Sequence, residues 1–177
     1  TATITGTATL AGVITGDTVN LSGSATAGTF AQSTVGNAIT VTATLSGLSV
    51  DNANYEITGV TTALTANITK APLTISGLAA SNKVYDRTNT ATITGTATLA
   101  GVITGDTVNL SGSATAGTFA QSTVGNAITV TATLSGLSVD NANYEITGVT
   151  TALTANITKA PLTISGLAAS NKVYDRT

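Results

Sequence analysis

The sequence predicts an all-β protein made of tandem antiparallel β-sandwich repeats with almost no helix. Three observations favour this fold class. Residues 1–88 and 90–177 are identical and only Asn89 separates them, so the sequence repeats with a period of 89 residues. Apolar and polar residues alternate through most of the period, as expected for antiparallel strands with one buried face. Turn-forming residues interrupt this alternation at short intervals, and no segment shows a sustained helical spacing of apolar residues.

The alternation predicts which side chains face the core. Between residues 38 and 45, the residues predicted to face inward are Ile39, Val41, Ala43 and Leu45. The same rule predicts further inward residues at Ala2 and Ile4, Val19 and Leu21, Leu64, Ala66 and Ile68, and Leu73 and Ile75. Turns are predicted at Ala11-Gly12, Thr15-Gly16-Asp17, Gly36-Asn37, Ser46-Gly47, Asp51-Asn52, Thr58-Gly59 and Ser76-Gly77. This spacing allows about seven or eight short strands per period, which is typical of a small β-sandwich.

The two prolines of the chain predict where one domain ends and the next begins. Proline is tolerated at the first residue of a strand, so Lys70-Ala71-Pro72 predicts a junction that recurs at Lys159-Ala160-Pro161. We therefore expect residues 1–69 to be a repeat that lacks its first strand, residues 70–158 a complete repeat, and residues 159–177 the first-strand segment of a following repeat. Two interpretations are open. The chain is a window on a longer protein, or the first strand of one chain completes the next chain head to tail.

Composition excludes several classes of function. Charged residues make up only 8% of the chain and the pI is about 4.7, so no basic surface is available for nucleic acid. The chain has no Cys and no His, which excludes disulfides, thiolate metal sites and imidazole catalysis. We expect neither enzymatic activity nor a cofactor. No apolar run approaches the roughly 18 residues of a membrane helix, so we expect no membrane insertion, and any export signal lies outside these residues.

Two copies of one motif resemble a known family. The segment Lys83-Val84-Tyr85-Asp86-Arg87-Thr88 and its copy at 172–177 resemble the Lys-x-Tyr-Asp-Gly-Thr signature of the bacterial YDG repeat domain. Further matches are the stretch at 48–55, which ends in Asn54-Tyr55, and the stretch at 68–74. Arg87 and Arg176 stand where the family usually has glycine. The residues assigned to this structural motif are Lys83, Tyr85, Asp86 and Arg87, with Lys172, Tyr174, Asp175 and Arg176 in the second copy.

The resemblance implies a fold and a setting. It implies tandem β-sandwiches of the immunoglobulin-like or MBG-like kind in large secreted or surface-attached bacterial proteins, often adhesins similar to filamentous haemagglutinin. It brings no catalytic residues. We interpret the Tyr-Asp pair as a brace for a turn rather than a ligand site, because such residues beside a strand end commonly tie down the backbone.

The polar segment at 51–56 is a candidate calcium loop. It places several oxygen-bearing side chains within six residues, a spacing that calcium ligation can use, although carboxylates are sparse and the usual loop glycine is missing. An ordinary polar turn is the alternative. The candidate ligands are Asp51, Asn52 and Asn54, and Asp140, Asn141 and Asn143 in the second copy.

Three other chemistries fit parts of the sequence. Lys70 or Lys83 could form an isopeptide bond to an Asn or Asp if the lysine were neutral and buried beside a protonated carboxyl, with Glu56 or Asp86 as the proton shuttle; a solvated lysine is the alternative. Flat Thr-x-Thr arrays are also typical of ice-binding surfaces, although the sheets of a small sandwich are normally twisted. Asparagines in N-glycosylation triplets occur at Asn20, Asn67, Asn109 and Asn156.

The exact duplication indicates a function that scales with the number of repeats. We expect a stalk or fibre of an extracellular bacterial adhesin or surface filament, secreted or on the cell surface. Its partners would be neighbouring identical repeats, and any host or cell-surface receptor would be bound by domains outside these residues. The alternative is a multivalent, low-affinity repeat that binds glycan or protein. A glycan site would need an exposed aromatic platform, and we expect the candidate rings of Phe30, Tyr55 and Tyr85 to pack in the core instead.

Overall fold

The computed structural model describes residues 1–176, which form fifteen β-strands and contain no helix. The all-β prediction is confirmed. Within this described range no helix has the length and apolar character needed to cross a membrane. The chain divides into two compact units. The first contains Thr1–Ala71 and Asn141–Glu145, and the second contains Pro72–Asp140 and Ile146–Thr177.

The strands of residues 1–69 form two antiparallel sheets. One sheet has four strands in the order β1-β3-β4-β6, and the other pairs β2 with β5. The burial of Ile39 and Val41 in β4 confirms the predicted inward face of that strand. The bounds are β1 Ala2–Thr3, β2 Leu21–Gly23, β3 Ala27–Phe30, β4 Gly36–Ala43, β5 Leu48–Val50 and β6 Leu64–Ile68.

Nine strands lie between Ala71 and Thr158. Seven of them form a sheet in the order β14-β7-β9-β11-β12-β15-β8, and β10 pairs with β13. The bounds are β7 Ala71–Ala80, β8 Lys83–Val84, β9 Thr90–Ala100, β10 Leu110–Gly112, β11 Ala116–Phe119, β12 Gly125–Ala132, β13 Leu137–Val139, β14 Tyr144–Val149 and β15 Leu153–Thr158.

The seven-stranded sheet is strongly curled. β7 lies next to one edge of the strand order and β8 forms the other edge, yet only Ser81 and Asn82 separate them in the sequence. β8 runs parallel to β15, with Lys83 opposite Ile157. The Asn82 side chain supports this junction, because its Oδ1 accepts a hydrogen bond from the Asn156 backbone N–H at 2.7 Å. The short connection therefore brings the two edges of the sheet together.

A paired glycine bulge lies in the middle of β7 and β9. The register between these antiparallel strands shifts between Ser76 and Leu78. Gly77 and Gly95 both have positive φ, and a Cβ at Gly77 would collide with the Thr96 carbonyl. The predicted turn at Ser76-Gly77 is therefore wrong: the strand continues through this pair with a bulge. The predicted turn at Gly36-Asn37 is wrong for the same reason, since β4 includes both residues and its register shifts there.

The core of the second unit consists of two apolar clusters. The larger one packs β9, β11, β12 and β15 around Phe119, and the smaller one is centred on Ile75 of β7. Leu78 contacts both clusters and so connects them. The buried members of the larger cluster are Ala91, Ile93, Phe119, Ile128, Val130, Leu153, Ala155 and Ile157.

Candidate functional site

A cluster of polar contacts surrounds the ammonium group of Lys83. Its Nζ lies 2.7 Å from Asp86 Oδ1 and donates to Thr88 Oγ1 at 2.8 Å. It also donates to the backbone carbonyls of Thr88 and Thr90, each at 3.2 Å. One ammonium group therefore satisfies several oxygens of the segment that leads from β8 into β9. We call residues 83–90 the motif turn.

Asp86 is the acceptor at the centre of the motif turn. Its Oδ1 accepts hydrogen bonds from the backbone N–H and the hydroxyl of Thr88, both at 2.9 Å. The side-chain hydrogen bond from Lys83, followed by the two bonds from Thr88, lowers the pKa of Asp86 from 3.8 to about 2. The carboxylate is therefore ionised at neutral pH. Isopeptide chemistry requires a protonated carboxyl, so the geometry favours an ion pair with Lys83 over a covalent bond.

Arg87 adopts a backbone conformation that favours glycine. Its φ is 70°, in the left-handed region where a side chain with a Cβ is strained. Arg176, at the same position of the second copy, has a φ of 68°. The turn geometry thus explains why glycine suits this position in the signature that the motif resembles. Both arginines keep that geometry despite their side chains.

The second copy of the motif is more exposed than the first. Lys172 Nζ lies 2.8 Å from Asp175 Oδ1, but the Lys172 side chain is 56% exposed compared with 16% for Lys83. Thr177, the last residue of this copy, lies outside the described residues. The ion pair is thus a local feature of the six-residue motif, whereas the burial of Lys83 also depends on the start of β9, where Thr90 accepts from its Nζ.

The two motif tyrosines are exposed, with 39% of Tyr85 and 85% of Tyr174 accessible. The expectation that Tyr85 packs in the core is wrong. Its backbone N–H donates to the Thr158 carbonyl at 2.9 Å, which places Tyr85 directly after the edge strand β8. A residue at a sheet edge has a strand on one side only, which accounts for the exposed ring.

A second polar cluster holds the loop at residues 13–20 against the loop at residues 51–55. Asp51 accepts from the Asn20 backbone N–H at 2.8 Å and from Asn20 Nδ2 at 2.7 Å. These two bonds, the backbone one first, lower the pKa of Asp51. Asp140 accepts from Asn109 with the same two distances and its pKa is lowered for the same reason. We call each such pair an Asn-Asp fork.

Tyr55 adds a second connection to the loop at residues 13–20. Its hydroxyl donates to Asp17 Oδ2 at 2.7 Å and accepts from the Ile14 backbone N–H at 3.1 Å. The bond to Asp17 is the main cause that raises the pKa of Tyr55, because it stabilises the protonated phenol. Tyr55 thus braces a loop with its hydroxyl.

The candidate calcium ligands already have partners. Both Asp51 oxygens bind Asn20, and Asn52 Oδ1 accepts from the Asn54 backbone N–H at 3.0 Å. In the second copy Asn141 Oδ1 accepts from the Asn143 N–H at 3.0 Å. Within residues 1–176 no group of three or more Asp, Glu, His or Cys is placed to hold a metal. The contacts show an ordinary polar turn, and calcium binding stays a prediction from sequence.

Sequence reasoning missed the role of several asparagines. Asn67 Oδ1 accepts from the Ala38 N–H at 2.8 Å, where the β4 bulge gives Ala38 a φ of 50°. Asn156 makes the same contact with Ala127 at 2.7 Å. The four asparagines of the glycosylation triplets therefore stabilise a bulge or an Asn-Asp fork. Ala38 lies within the register shift between Gly36 and Ile39. Nothing in the local sequence indicates that its N–H binds the Asn67 side chain, so the alternation pattern could not assign this role to Asn67.

A cleft of about 280 Å³ opens beside the bulge of the second unit. Its lining residues are aliphatic, small or hydroxyl-bearing, with no charged or aromatic side chain among them. Such a lining offers neither the stacking platform nor the fixed charge that recognises a sugar or an anion. The lining residues are Leu78, Ile93, Gly95, Thr96, Ala97, Leu110, Gly112, Ser113, Ala114 and Thr115.

One position in the repeat holds a strand in the first copy of the sequence and none in the second. Residues 160–169 have the sequence of β7 but form no strand. Leu162 is 95% exposed, whereas Leu73 at the equivalent position of β7 is 0% exposed. The neighbours of β7 show the reverse pattern: residues 4–11 and 55–60 have the sequences of β9 and β14 but form no strand.

Residues 69–152 match the family model described as the YDG domain. A YDG domain is therefore found in this part of the chain, and the resemblance inferred from Lys83, Tyr85, Asp86 and Arg87 is confirmed for these residues. No curated protein and no solved structure matches the chain.

Proposed function

We propose that the chain is a structural repeat from the stalk or filament of an extracellular bacterial surface protein, in which YDG-containing β-sandwiches follow one another along the chain. One observation carries the proposal. The seven-stranded sheet in the part of the chain that contains the YDG domain is made from strands of one 89-residue period, and the sequence repeats that period without change. Each period that is added to the chain therefore adds one more unit of the same kind.

The pairing of β7 with β9 is a contact made within one 89-residue period, residues 70–158. The six paired positions run from Thr74 opposite Ala100 to Ala80 opposite Ile93. Both strands, Ala71–Ala80 and Thr90–Ala100, lie inside this period. The motif turn, held by Lys83, lies between these two strands. Each added copy would therefore add one more motif turn and one more β7–β9 pair.

The surface chemistry supports a structural role over a binding role. The chain carries few charges, and the outward faces of β9 and β12 bear threonine. The cleft beside the bulge lacks the aromatic and charged groups of a glycan site. Tyr85 is exposed, but it lies within the motif turn, whose ion pair joins Lys83 and Asp86 of the same turn. These features favour a spacer over the multivalent binding repeat.

The length of the particle tests this proposal. Chains with two, three and four copies of the 89-residue period would be compared by small-angle X-ray scattering at low concentration. A stalk predicts that the maximum dimension increases by a constant amount for each added copy. A radius of gyration that grows only as roughly the 0.38 power of chain length, as in compact proteins, would contradict it. An Ile75→Asp variant of the three-copy chain serves as a control. It places a charge in the core and should therefore change the increase in maximum dimension per copy.

A further inference from the structure

The first unit contains a short segment of the following period. Besides Thr1–Ala71 it includes Asn141–Glu145, although this segment belongs to the period 70–158. Two hydrogen bonds connect the segment to the rest of the unit. The Val35 N–H donates to Asn143 Oδ1 at 2.9 Å, and the Ala71 N–H donates to the Asn143 carbonyl at 2.8 Å. One residue therefore accepts from the turn before β4 and from the first residue of β7.

Asn143 is positioned by a turn that is present in both periods. Its backbone N–H donates to Asn141 Oδ1 at 3.0 Å, as the Asn54 N–H does to Asn52 Oδ1 at 3.0 Å. In such a turn an Asn side chain binds the backbone two residues further along. The turn uses the side chain of Asn141 but only the backbone N–H of Asn143, so the two oxygens of Asn143 are available to other donors. We call residues 52–54 and 141–143 the Asn turns.

The donor of this contact also lies in a turn that both periods form. Gln32 Nε2 donates to the Thr34 carbonyl at 3.1 Å and to Thr34 Oγ1 at 3.2 Å, and the next backbone N–H is that of Val35. Gln121 makes the same two contacts with Thr123, at 3.1 and 3.0 Å. Val35 and Asn143 are both half-buried, and a backbone N–H that is withdrawn from water needs an acceptor. Donor and acceptor are thus each held by contacts inside a single period.

The spacing of the two residues allows the contact to recur. Val35 and Asn143 are 108 residues apart. Asn143 lies one 89-residue period after Asn54, so the contact joins a turn of one period to the Asn turn of the next. In repeat proteins, contacts between nearest neighbours are added once for each added repeat. The same contact is therefore available wherever one period follows another.

We propose that the Asn turn is the contact by which each repeat binds the repeat before it, with the side-chain oxygen of Asn143 as the deciding acceptor. The partner is a second repeat of the same sequence in the same chain. The recognition is polar: one residue offers a carboxamide oxygen and a backbone carbonyl to two N–H groups of the preceding repeat. The inference rests on the proposed function, because it names the partner and the residue by which consecutive repeats bind.

Amide hydrogen exchange at Val35 tests the contact in the chain as it is. Labelling residues 1–71 alone with ¹⁵N distinguishes Val35 from its copy. Asn143→Ala removes the acceptor and leaves the Asn turn intact, so the Val35 amide should exchange about tenfold faster. Asn143→Asp keeps an oxygen at the same position and should restore slow exchange. Asn54→Ala is the matched control, because it removes the same side chain from the Asn turn of the first period, where Asn54 is exposed.

The Thr44 amide is the folding control in all three variants, because it binds the Ala27 carbonyl at 2.8 Å within the first unit. Two results with Thr44 still protected would overturn the inference. One is an unchanged exchange rate of Val35 in Asn143→Ala, and the other is an equal acceleration in Asn54→Ala. If multi-copy chains still lengthen by constant steps, such a result removes this inference and leaves the stalk proposal intact.

A longer chain tests the recurrence without any substitution. Adding a third period places an Asn turn 108 residues after Val124, the copy of Val35. The Val124 amide should then exchange about tenfold more slowly than in the chain with two periods, while the rate at Val35 stays the same. Segmental ¹⁵N labelling of the second period would measure it. An unchanged rate at Val124 would contradict the proposal.

Discussion

Residues 71–80 and 160–169 have the same ten-residue sequence and different structures. The first segment is the strand β7, with its apolar side chains buried, and the second forms no strand and leaves those side chains in solvent. Because the two segments have the same sequence, their intrinsic β-propensity is equal. The difference teaches that a neighbouring strand, and the burial it brings, decides whether this sequence forms a strand.

Other features do not differ between the copies. The Asn-Asp forks have the same distances in both, and β2–β5 has the register of β10–β13. The Lys-Asp ion pairs of the two motifs also agree to within 0.1 Å, at 2.7 and 2.8 Å. These contacts are made inside a single copy of the sequence. What varies is the set of contacts made by the β7 sequence, which forms a paired strand at residues 71–80 and no strand at residues 160–169.

The largest contrast is expected from truncating the same leucine in the two segments. Leu73→Ala should lower the free energy of unfolding by about 3–5 kcal/mol, because it leaves a cavity where the side chain is 0% exposed. Leu162→Ala should change it by less than about 0.5 kcal/mol, since that side chain is 95% exposed. Denaturant unfolding of both variants at low protein concentration would measure the contrast. Equal losses of stability would break the comparison.

The bulge glycines should show a smaller contrast of the same kind. Gly77→Ala should destabilise the second unit by about 2–3 kcal/mol, because φ is positive and the Cβ would collide with the Thr96 carbonyl. Gly166→Ala places its Cβ in open space, and the segment can relax. Thermal unfolding in dilute solution would compare the two. A large effect at Gly166 in a monomeric chain would show that residues 160–169 already pair within their own chain.

Arg87→Gly should stabilise the second unit by up to about 1 kcal/mol. Glycine removes the strain of a φ of 70°, and the gain is reduced by the greater freedom of glycine in the unfolded chain. Arg176→Gly provides the control, because residues 160–176 form no strand. Chemical denaturation would measure both. If Arg87→Gly were destabilised, the contacts of the arginine side chain would contribute more to the free energy of unfolding than its backbone strain takes away.

The smallest effect concerns acid stability at Asp86. Because folding lowers the pKa of Asp86 from 3.8 to about 2, the folded state binds this proton more weakly than the unfolded state. The stabilisation is complete above about pH 5 and is lost as the pH falls through about 2. The difference in free energy of unfolding between the unchanged chain and Asp86→Asn should therefore shrink between about pH 4 and pH 2. A difference that stays constant with pH would exclude this role for Asp86.

The sequence predicted the parts of the fold that depend on local pattern. Alternation identified the buried faces at Ile39 and Val41 and at Leu73 and Ile75. The motif at Lys83 predicted the YDG domain and a braced turn. The turn prediction failed at Gly77. This glycine resembles a turn signal, but it lies at a bulge inside the long strand β7. Only the partner strand β9, with Gly95 opposite the shift, distinguishes the two cases.

The site partners were harder to predict because they are distant in sequence. Asn20 and Asp51 are 31 residues apart, and Tyr55 and Asp17 are 38 residues apart. Nothing in the local pattern joins such residues, since each lies in a separate polar loop. The exposed ring of Tyr85 was also missed, because alternation does not show that β8 is an edge strand.

Amide hydrogen exchange tests most directly whether a neighbouring strand decides the structure of the β7 sequence. Segmental ¹⁵N labelling is needed because the two copies give identical peptides. In dilute monomeric chain, the amides of residues 74–80 that are hydrogen-bonded in the β7 pairings should exchange about 1,000-fold or more slowly than their copies in residues 163–169. Equal protection of the two segments in the monomer would contradict this account.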